Sequence, residues 1–379
     1  MPLPGASAWS LDPALAYLNH GGFGASPVRV LARQRELRDD LEASPAGFLV
    51  HRLPGLIGEV RARVAAFLHA DEAGVVFTDN ATTGTQTVIT RTRLEPGDEV
   101  LTSDHCYPAV LAQLSQAADA VGARVVVAPV PLPVGGRAAV AQAVLSRLTS
   151  RTRLVVVDHV ASCSGVIFPV EEIVAEAHRH DVPVLVDGAH ATGMLPVDLG
   201  QIGADYWVGN LHKWVCAPKA SAVLYAAQRW REALRPLVIS HGARDGFRSA
   251  FDWTGTRDPT ALLSVPAALD FFEEAGWQAV RAHNNDLART GAELVADRIG
   301  TGTADATDGL AAAMRIVRAP GYVPDDAGAR SLETWLLERH GIVVPVTSHG
   351  GRHWLRLSAQ LYNSLGDYER LAEALTGGH

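Results

Sequence analysis

Between residues 75 and 226 the chain alternates short, almost uninterrupted apolar runs with longer stretches in which apolar residues recur every three or four positions. The runs Val75–Thr78, Glu99–Thr102, Arg124–Val130, Arg153–Val160, Val182–Asp187, Tyr206–Val208 and Ser221–Tyr225 predict strands. Ala109–Val121, Arg137–Leu148 and Val170–His180 predict helices between them. A strand covered on both faces needs continuous rather than alternating hydrophobicity, so a mostly parallel central sheet with helices on both faces is expected. Right-handed crossovers would then gather the loops after the strand C-termini along one edge, where ligands bind in open α/β sheets.

Beyond Pro259 the texture changes. Long helical patterns (Ala261–Glu274, Trp277–Ile299, Ala327–Arg339) surround fewer strand-like runs (Ala312–Val317, Ile342–Val346, Trp354–Ser358), which predicts a smaller α+β domain. Residues 1–40 hold a loop and most of a helix pattern, Val28–Leu41. The expected organisation is an N-terminal segment (1–40) packing on the small domain, a large domain (41–258) and a small C-terminal domain (259–379).

Composition removes whole classes of function. The 379 residues carry 33 Lys+Arg against 41 Asp+Glu, a net charge of −8, with no basic run. That argues against nucleic acid and against an anionic membrane surface as partners. No apolar run approaches the roughly 20 residues needed to cross a bilayer, and residues 1–18 lack a secretory pattern, so a cytoplasmic location is expected. Cys106, Cys163 and Cys216 lie too far apart for a disulfide framework or a zinc knuckle, and no metal is expected. Only two basic residues are lysines, Lys213 and Lys219, so chemistry that needs a side-chain amine has two candidates.

Four segments carry chemistry. In Val182–His190 an ionisable Asp187 ends an apolar strand and Gly-Ala-His190 follows. Asp187 could simply cap the next helix, or it could hold a proton on a cofactor's ring nitrogen. Gly209-Asn-Leu-His-Lys213-Trp214 places a lysine at another strand end, where burial would lower its pKa and fit it for a Schiff base. Lys219, opening the next strand, reads as a solvated cation. Thr78-Asp-Asn-Ala-Thr-Thr-Gly-Thr85 begins a helix with small hydroxyl residues, a cup for a phosphate at a helix N-terminus. It lacks the glycine spacing of a nucleotide loop. His105-Cys106-Tyr107, at a further strand end, adds an aromatic ring able to stack on a planar cofactor.

Phosphate cup, stacking ring, carboxylate and lysine are together the protein parts expected around pyridoxal 5′-phosphate (PLP). Over almost its whole length the chain resembles the class V branch of fold-type I PLP enzymes, and within it the isopenicillin N epimerase-like group. The resemblance rests on Tyr17-Leu-Asn-His-Gly-Gly-Phe-Gly24, Asn80-Ala-Thr82, Asp158-His-Val-Ala-Ser162, Asp187-Gly-Ala-His190, Asn210-Leu-His-Lys-Trp214, Trp253-Thr-Gly-Thr-Arg-Asp-Pro259 and Trp354–Asn363. It implies that Lys213 links covalently to PLP, Asp187 pairs with the pyridinium nitrogen and His190 reaches the ring's phenolic oxygen. By the same resemblance Ala81, Thr82, Thr83, Asn210 and His212 surround the phosphate, Tyr107 stacks on the ring and Ser162 lies near the ring oxygen or the lysine. Thr256 would reach the phosphate of a neighbouring subunit, which implies a homodimer with shared sites. Arg356 resembles the arginine that clamps a substrate α-carboxylate, although an arginine on a surface strand would look the same. Asn19 and His20 resemble a segment near the substrate channel.

The implied activity is chemistry at the α-carbon of an amino acid, with an epimerase as the leading reading. β-Elimination (C–S lyase or cysteine desulfhydrase) and transamination are the alternatives within the family, and a PLP-binding regulator is the alternative outside catalysis. Epimerisation needs a second acid/base opposite Lys213, and Tyr107 is the first candidate, ahead of Cys106 and His105. Persulfide-forming desulfurase chemistry needs a small-domain cysteine, whereas the last cysteine in the chain is Cys216.

Overall fold

The valine-rich runs become strands because β-branched side chains are stiff and pack well on a pleated surface covered from both sides. The computed structural model describes residues 3–302 and 309–377. Its N-terminal part supplies β1 (Ala16–Tyr17), α1 (Val28–Ala43) and α2 (Leu53–Phe67). There follow β2 (Val75–Thr78), α3 (Ala81–Ile89), β3 (Glu99–Ser103), α4 (Pro108–Asp119), β4 (Arg124–Ala128) and α5 (Arg137–Leu145). Next come β5 (Thr152–Asp158), α6 (Val170–Arg179), β6 (Val184–Asp187), α7 (Leu199–Ile202), β7 (Tyr206–Asn210) and β8 (Ala222–Ala226). The remainder is α8 (Phe247–Asp252), α9 (Thr260–Leu263), α10 (Val265–Ala275), α11 (Trp277–Ile299), β9 (Met314–Arg318), α12 (Asp326–His340), β10 (Ile342–Val343), β11 (Val346–His349), β12 (Arg352–Ser358) and α13 (Leu365–Thr376).

Seven strands form one sheet in the order β2-β8-β7-β6-β5-β3-β4. β4, β3, β5, β6 and β7 run parallel, and β8 is antiparallel to both of its neighbours. Alternate residues feed two different cores, as a two-residue strand period requires. Val155, Val157 and Trp207 join the core that includes α1, α2, α5 and α6, whereas Leu154, Val156 and Val208 join the one beneath α3 and α4. A separate three-stranded antiparallel sheet, β11-β12-β9, lies in the C-terminal part. Among the described residues no helix is long and apolar enough to cross a membrane.

Prolines account for two departures from the sequence expectation. The run Ile342–Val346 splits into β10, which pairs with β1, and β11, because Pro345 has no N–H for a ladder. The stretch Ala261–Glu274 breaks at Ser264, since Pro266 in the first turn of α10 cannot donate back to the preceding helix. Ala16 and Leu18 pack in the small-domain core, while Val30, Leu37 and Leu41 of α1 pack in the large one. Leu263, Val265, Ala268 and Leu269 also sit in the large core.

Candidate active site

Parallel strands release their functional residues at a common edge. In-register pairing of β5 with β6 sets Asp158 beside Asp187, and both are buried. β7 ends at Asn210, three residues before Lys213. The loop from Asn19 packs on the lysine's main chain so closely that a Cβ at Gly24 would lie 2.6 Å from the carbonyl oxygens of His212 and Lys213. Gly188 answers the same need beside Asp187, since a Cβ there would meet the Trp207 ring at 2.1 Å.

Lys213 Nζ lies 3.0 Å from His190 Nε2. Burial, helped by the positive charge of Arg356, lowers the lysine pKa from 10.5 to about 7, so much of it is a neutral amine near neutrality. His190 is buried, and its pKa is pushed well below the ordinary range by burial and then by Lys213. With the lysine donating to Nε2, the proton of neutral His190 sits on Nδ1, which is buried and has no partner. Asp187 accepts from the Ala189 N–H at 2.9 Å through one oxygen. Burial raises its pKa, against the Ala189 hydrogen bond and the lysine charge. Asp158 is raised further, by burial and by the charge of Asp187.

The phosphate cup is narrower than the sequence implied. Asn80 caps α3 and takes both the N–H and the hydroxyl of Thr83, at 2.8 and 3.1 Å. The Ala81 N–H is bound to Asn210 Oδ1 at 2.8 Å. The N–H and hydroxyl of Thr82 are the donors of this first turn left without partners among the described residues, at the positive end of the helix dipole. His212 binds the Ser221 carbonyl through Nδ1 at 3.0 Å, and burial lowers its pKa to about 4.

Arg356 is buried and makes no salt bridge to a carboxylate among the described residues. Its Nη1 donates to the main-chain oxygen and hydroxyl of Ser162 at 2.7 and 3.1 Å, and its Nη2 to Asn19 Oδ1 at 3.1 Å. Its Nε–H is buried and unpartnered. The surface-arginine reading therefore fails: β12 turns this side chain inward, where Ser162 and Asn19 hold the fork in place. Tyr107, N-cap of α4, is 41% exposed and lies within electrostatic reach of Arg356.

His20 stands behind the site rather than along a channel. It is fully buried, with Nδ1 2.8 Å from the Tyr362 hydroxyl and Nε2 3.1 Å from the Lys213 carbonyl oxygen. Thr256 lies on an exposed loop, and its neighbour Arg257 binds Asp79 at 2.7 Å. Lys219 is exposed and donates to the Gly24 carbonyl at 2.7 Å. Sequence reasoning missed Asp158 as a site residue and Tyr362 as the partner of His20, because strand register and a separation of 342 residues leave no local trace.

These residues fit PLP. Two buried donors without acceptors among the described residues (His190 Nδ1 and Arg356 Nε), an open helix N-terminus at Thr82, and a buried carboxylate with one oxygen uncommitted surround the half-buried Lys213. Asp187 would hold the ring nitrogen, His190 the phenolic oxygen, Thr82 the phosphate and Lys213 the covalent link.

The chain belongs to the class-V aminotransferase family, whose profile spans residues 16–371, and is a PLP-dependent enzyme. It is 34% identical to an isopenicillin N epimerase of Amycolatopsis lactamdurans, over 98% of each chain. It is 30% identical to an L-cysteine desulfhydrase of Arabidopsis thaliana, over 96% of this chain and 87% of that one. A solved structure of a C-DES mutant with glycine covalently linked to its PLP cofactor shares the fold, with a TM-score of 0.83 at 23% identity, covering 99% of this chain and 100% of that one.

Proposed function

We propose that the protein epimerises the α-carbon of an amino acid or an amino-acid-containing metabolite, with Lys213 and Tyr107 as the two proton-transfer groups. The observation that carries this reading is Arg356, a buried guanidinium without a carboxylate partner, within electrostatic reach of both Lys213 and Tyr107. A substrate carboxylate accepted in bidentate fashion there would supply the missing charge and bring the α-carbon between them. Bound PLP supplies a sink for the electron pair left when the α-proton departs. Lys213, with its pKa lowered to about 7, has a large neutral fraction at neutral pH and takes that proton as general base. Tyr107, through its phenol O–H, returns one from the other side. Asp187 holds positive charge on the cofactor ring.

β-Elimination is the second reading, favoured by the 30% identical desulfhydrase and by the fact that Lys213 alone suffices as its base. The experiment is an amino-acid panel in deuterated solvent, scored for α-deuterium, optical purity, ammonia and keto acid. Epimerisation gives deuterated, racemising substrate without ammonia. Ammonia and a keto acid from cysteine-type substrates would replace it with elimination. Accumulation of the amine form of the cofactor would indicate transamination, and no deuterium uptake from any amino acid would favour a PLP-binding regulator.

A homodimer with shared sites belongs to the same reading. Thr256 is exposed, and the consecutive apolar side chains Leu237, Val238 and Ile239 are 42%, 57% and 58% exposed, an apolar stretch suited to a second copy. The three free cysteines suit a reducing, cytoplasmic setting.

A further inference from the structure

We infer that His105, Cys163 and His349 form a binding site for a zinc-class divalent cation that joins the small domain to the large one beside the carboxylate clamp. One nitrogen of each histidine and the cysteine Sγ all lie within 4.8 Å of one another. Metal–ligand bonds of about 2.0–2.3 Å would require the three to close by less than about an ångström. Two imidazoles and a thiolate select zinc, cobalt or copper over magnesium or calcium, whose ligands are oxygens.

The surroundings support a built site. His105 follows β3, Cys163 lies five residues after β5 and His349 ends β11, so three distant segments converge. His105 is completely buried, and its Nε2 is 2.8 Å from the Val130 carbonyl, which can only accept; the proton therefore sits on Nε2 and Nδ1 holds the lone pair. An N–H bound to a main-chain carbonyl is the outer contact that orients a metal-bound imidazole. Ser164 Oγ lies 2.8 Å from Nδ1 and also accepts the Val166 N–H at 3.3 Å, so a cation bound to Nδ1 displaces this hydroxyl. His349 is the second signal: its side chain is 6% exposed, and its ring makes no hydrogen bond to protein among the described residues. The nearest acid is Asp104, with Oδ2 4.0 Å from His349 Nε2, leaving the fourth position to that carboxylate or to water.

The site is separate from the cofactor pocket but mechanically tied to it. The Thr347 hydroxyl donates to the Cys163 carbonyl at 2.9 Å, and Cys163 follows Ser162, which holds Arg356. A bound cation would fix β11 against this loop and so fix the clamp, with the Cys163 thiol proton released to solvent on ligation.

The test uses holoenzyme stripped with a chelator and titrated with zinc(II) against a chromophoric competitor, then with cobalt(II) followed by visible d–d bands and X-ray absorption. The expected result is one ion per chain, tetrahedral, with one sulfur and two imidazoles in the first shell. Cys163→Ser should lose the sulfur and weaken binding by about tenfold or more, and His349→Ala should do the same to one imidazole. Cys106→Ser should leave binding unchanged, and the cofactor spectrum of each variant reports whether it has folded. A first shell without sulfur, or an affinity that neither variant alters, would overturn the site.

Discussion

At the scale of single residues, the site withdraws Asp187 and Arg356 from water and holds them with few polar partners, Ala189 for the one and Ser162 and Asn19 for the other. If Asp187 meets a cationic ring nitrogen as proposed, that cation draws out its charged form, and Asp187→Asn keeps the shape but removes the charge. We expect weaker PLP binding and a loss of roughly 10²-fold or more in kcat, the scale of one preorganised electrostatic group, read from steady-state kinetics and cofactor titration. Lys213 gives a pH signature. Below about pH 7 it is an ammonium and cannot attack an aldehyde; above it the free amine dominates. Capture of PLP by apoenzyme should therefore rise about tenfold per pH unit up to near 7 and then level off, whereas an ordinary lysine would keep gaining beyond pH 10. Stopped-flow reconstitution across pH distinguishes the two. Lys213 and Asp187 stood out as candidates in the sequence because each follows or ends an apolar strand, whereas Arg356 came from the resemblance alone, since its strand pattern fits a surface arginine equally well. Asp158 did not stand out, because its meaning lies in the neighbour that strand register gives it.

At the scale of elements, strand ends and one helix N-terminus do the positioning. Asn80 fixes the first turn of α3 with two bonds to Thr83, which leaves the Thr82 donors open for the phosphate that the proposal places there. Asn80→Ala should cost about 1 kcal/mol of stability. It should also narrow the gap in melting temperature between holo- and apoenzyme, because the loosened turn holds phosphate less well; paired thermal melts read both effects. The valine runs gave the large-sheet strands to within a few residues, since burial on both faces writes itself into composition. The split at Pro345 and the pairing of β1 with β10 were less legible, for a two-residue strand carries no period to read. The gathering of His105, Cys163 and His349 was equally hidden, because ligand spacing in sequence reports only sites built from one segment.

At the scale of the whole molecule, two cores on the two faces of one sheet hold an edge where Asp187, Lys213 and Arg356 come together. The small domain contributes Arg356; if it clamps the substrate's carboxylate as proposed, that carboxylate and the α-carbon are held by different parts of the chain. If Thr256 serves a neighbouring subunit's phosphate, cofactor and association stabilise one another. Removing PLP should then shift the dimer toward monomer in sedimentation velocity at micromolar concentration, and a fully loaded monomer would contradict shared sites. The central claim is that Lys213 is the amine on which the chemistry turns, and two lysines make its test almost binary. Borohydride reduction of the holoenzyme followed by peptide mass mapping should place the pyridoxyl group on Lys213, at one per chain. An adduct on Lys219, or on the N-terminus alone, would contradict it.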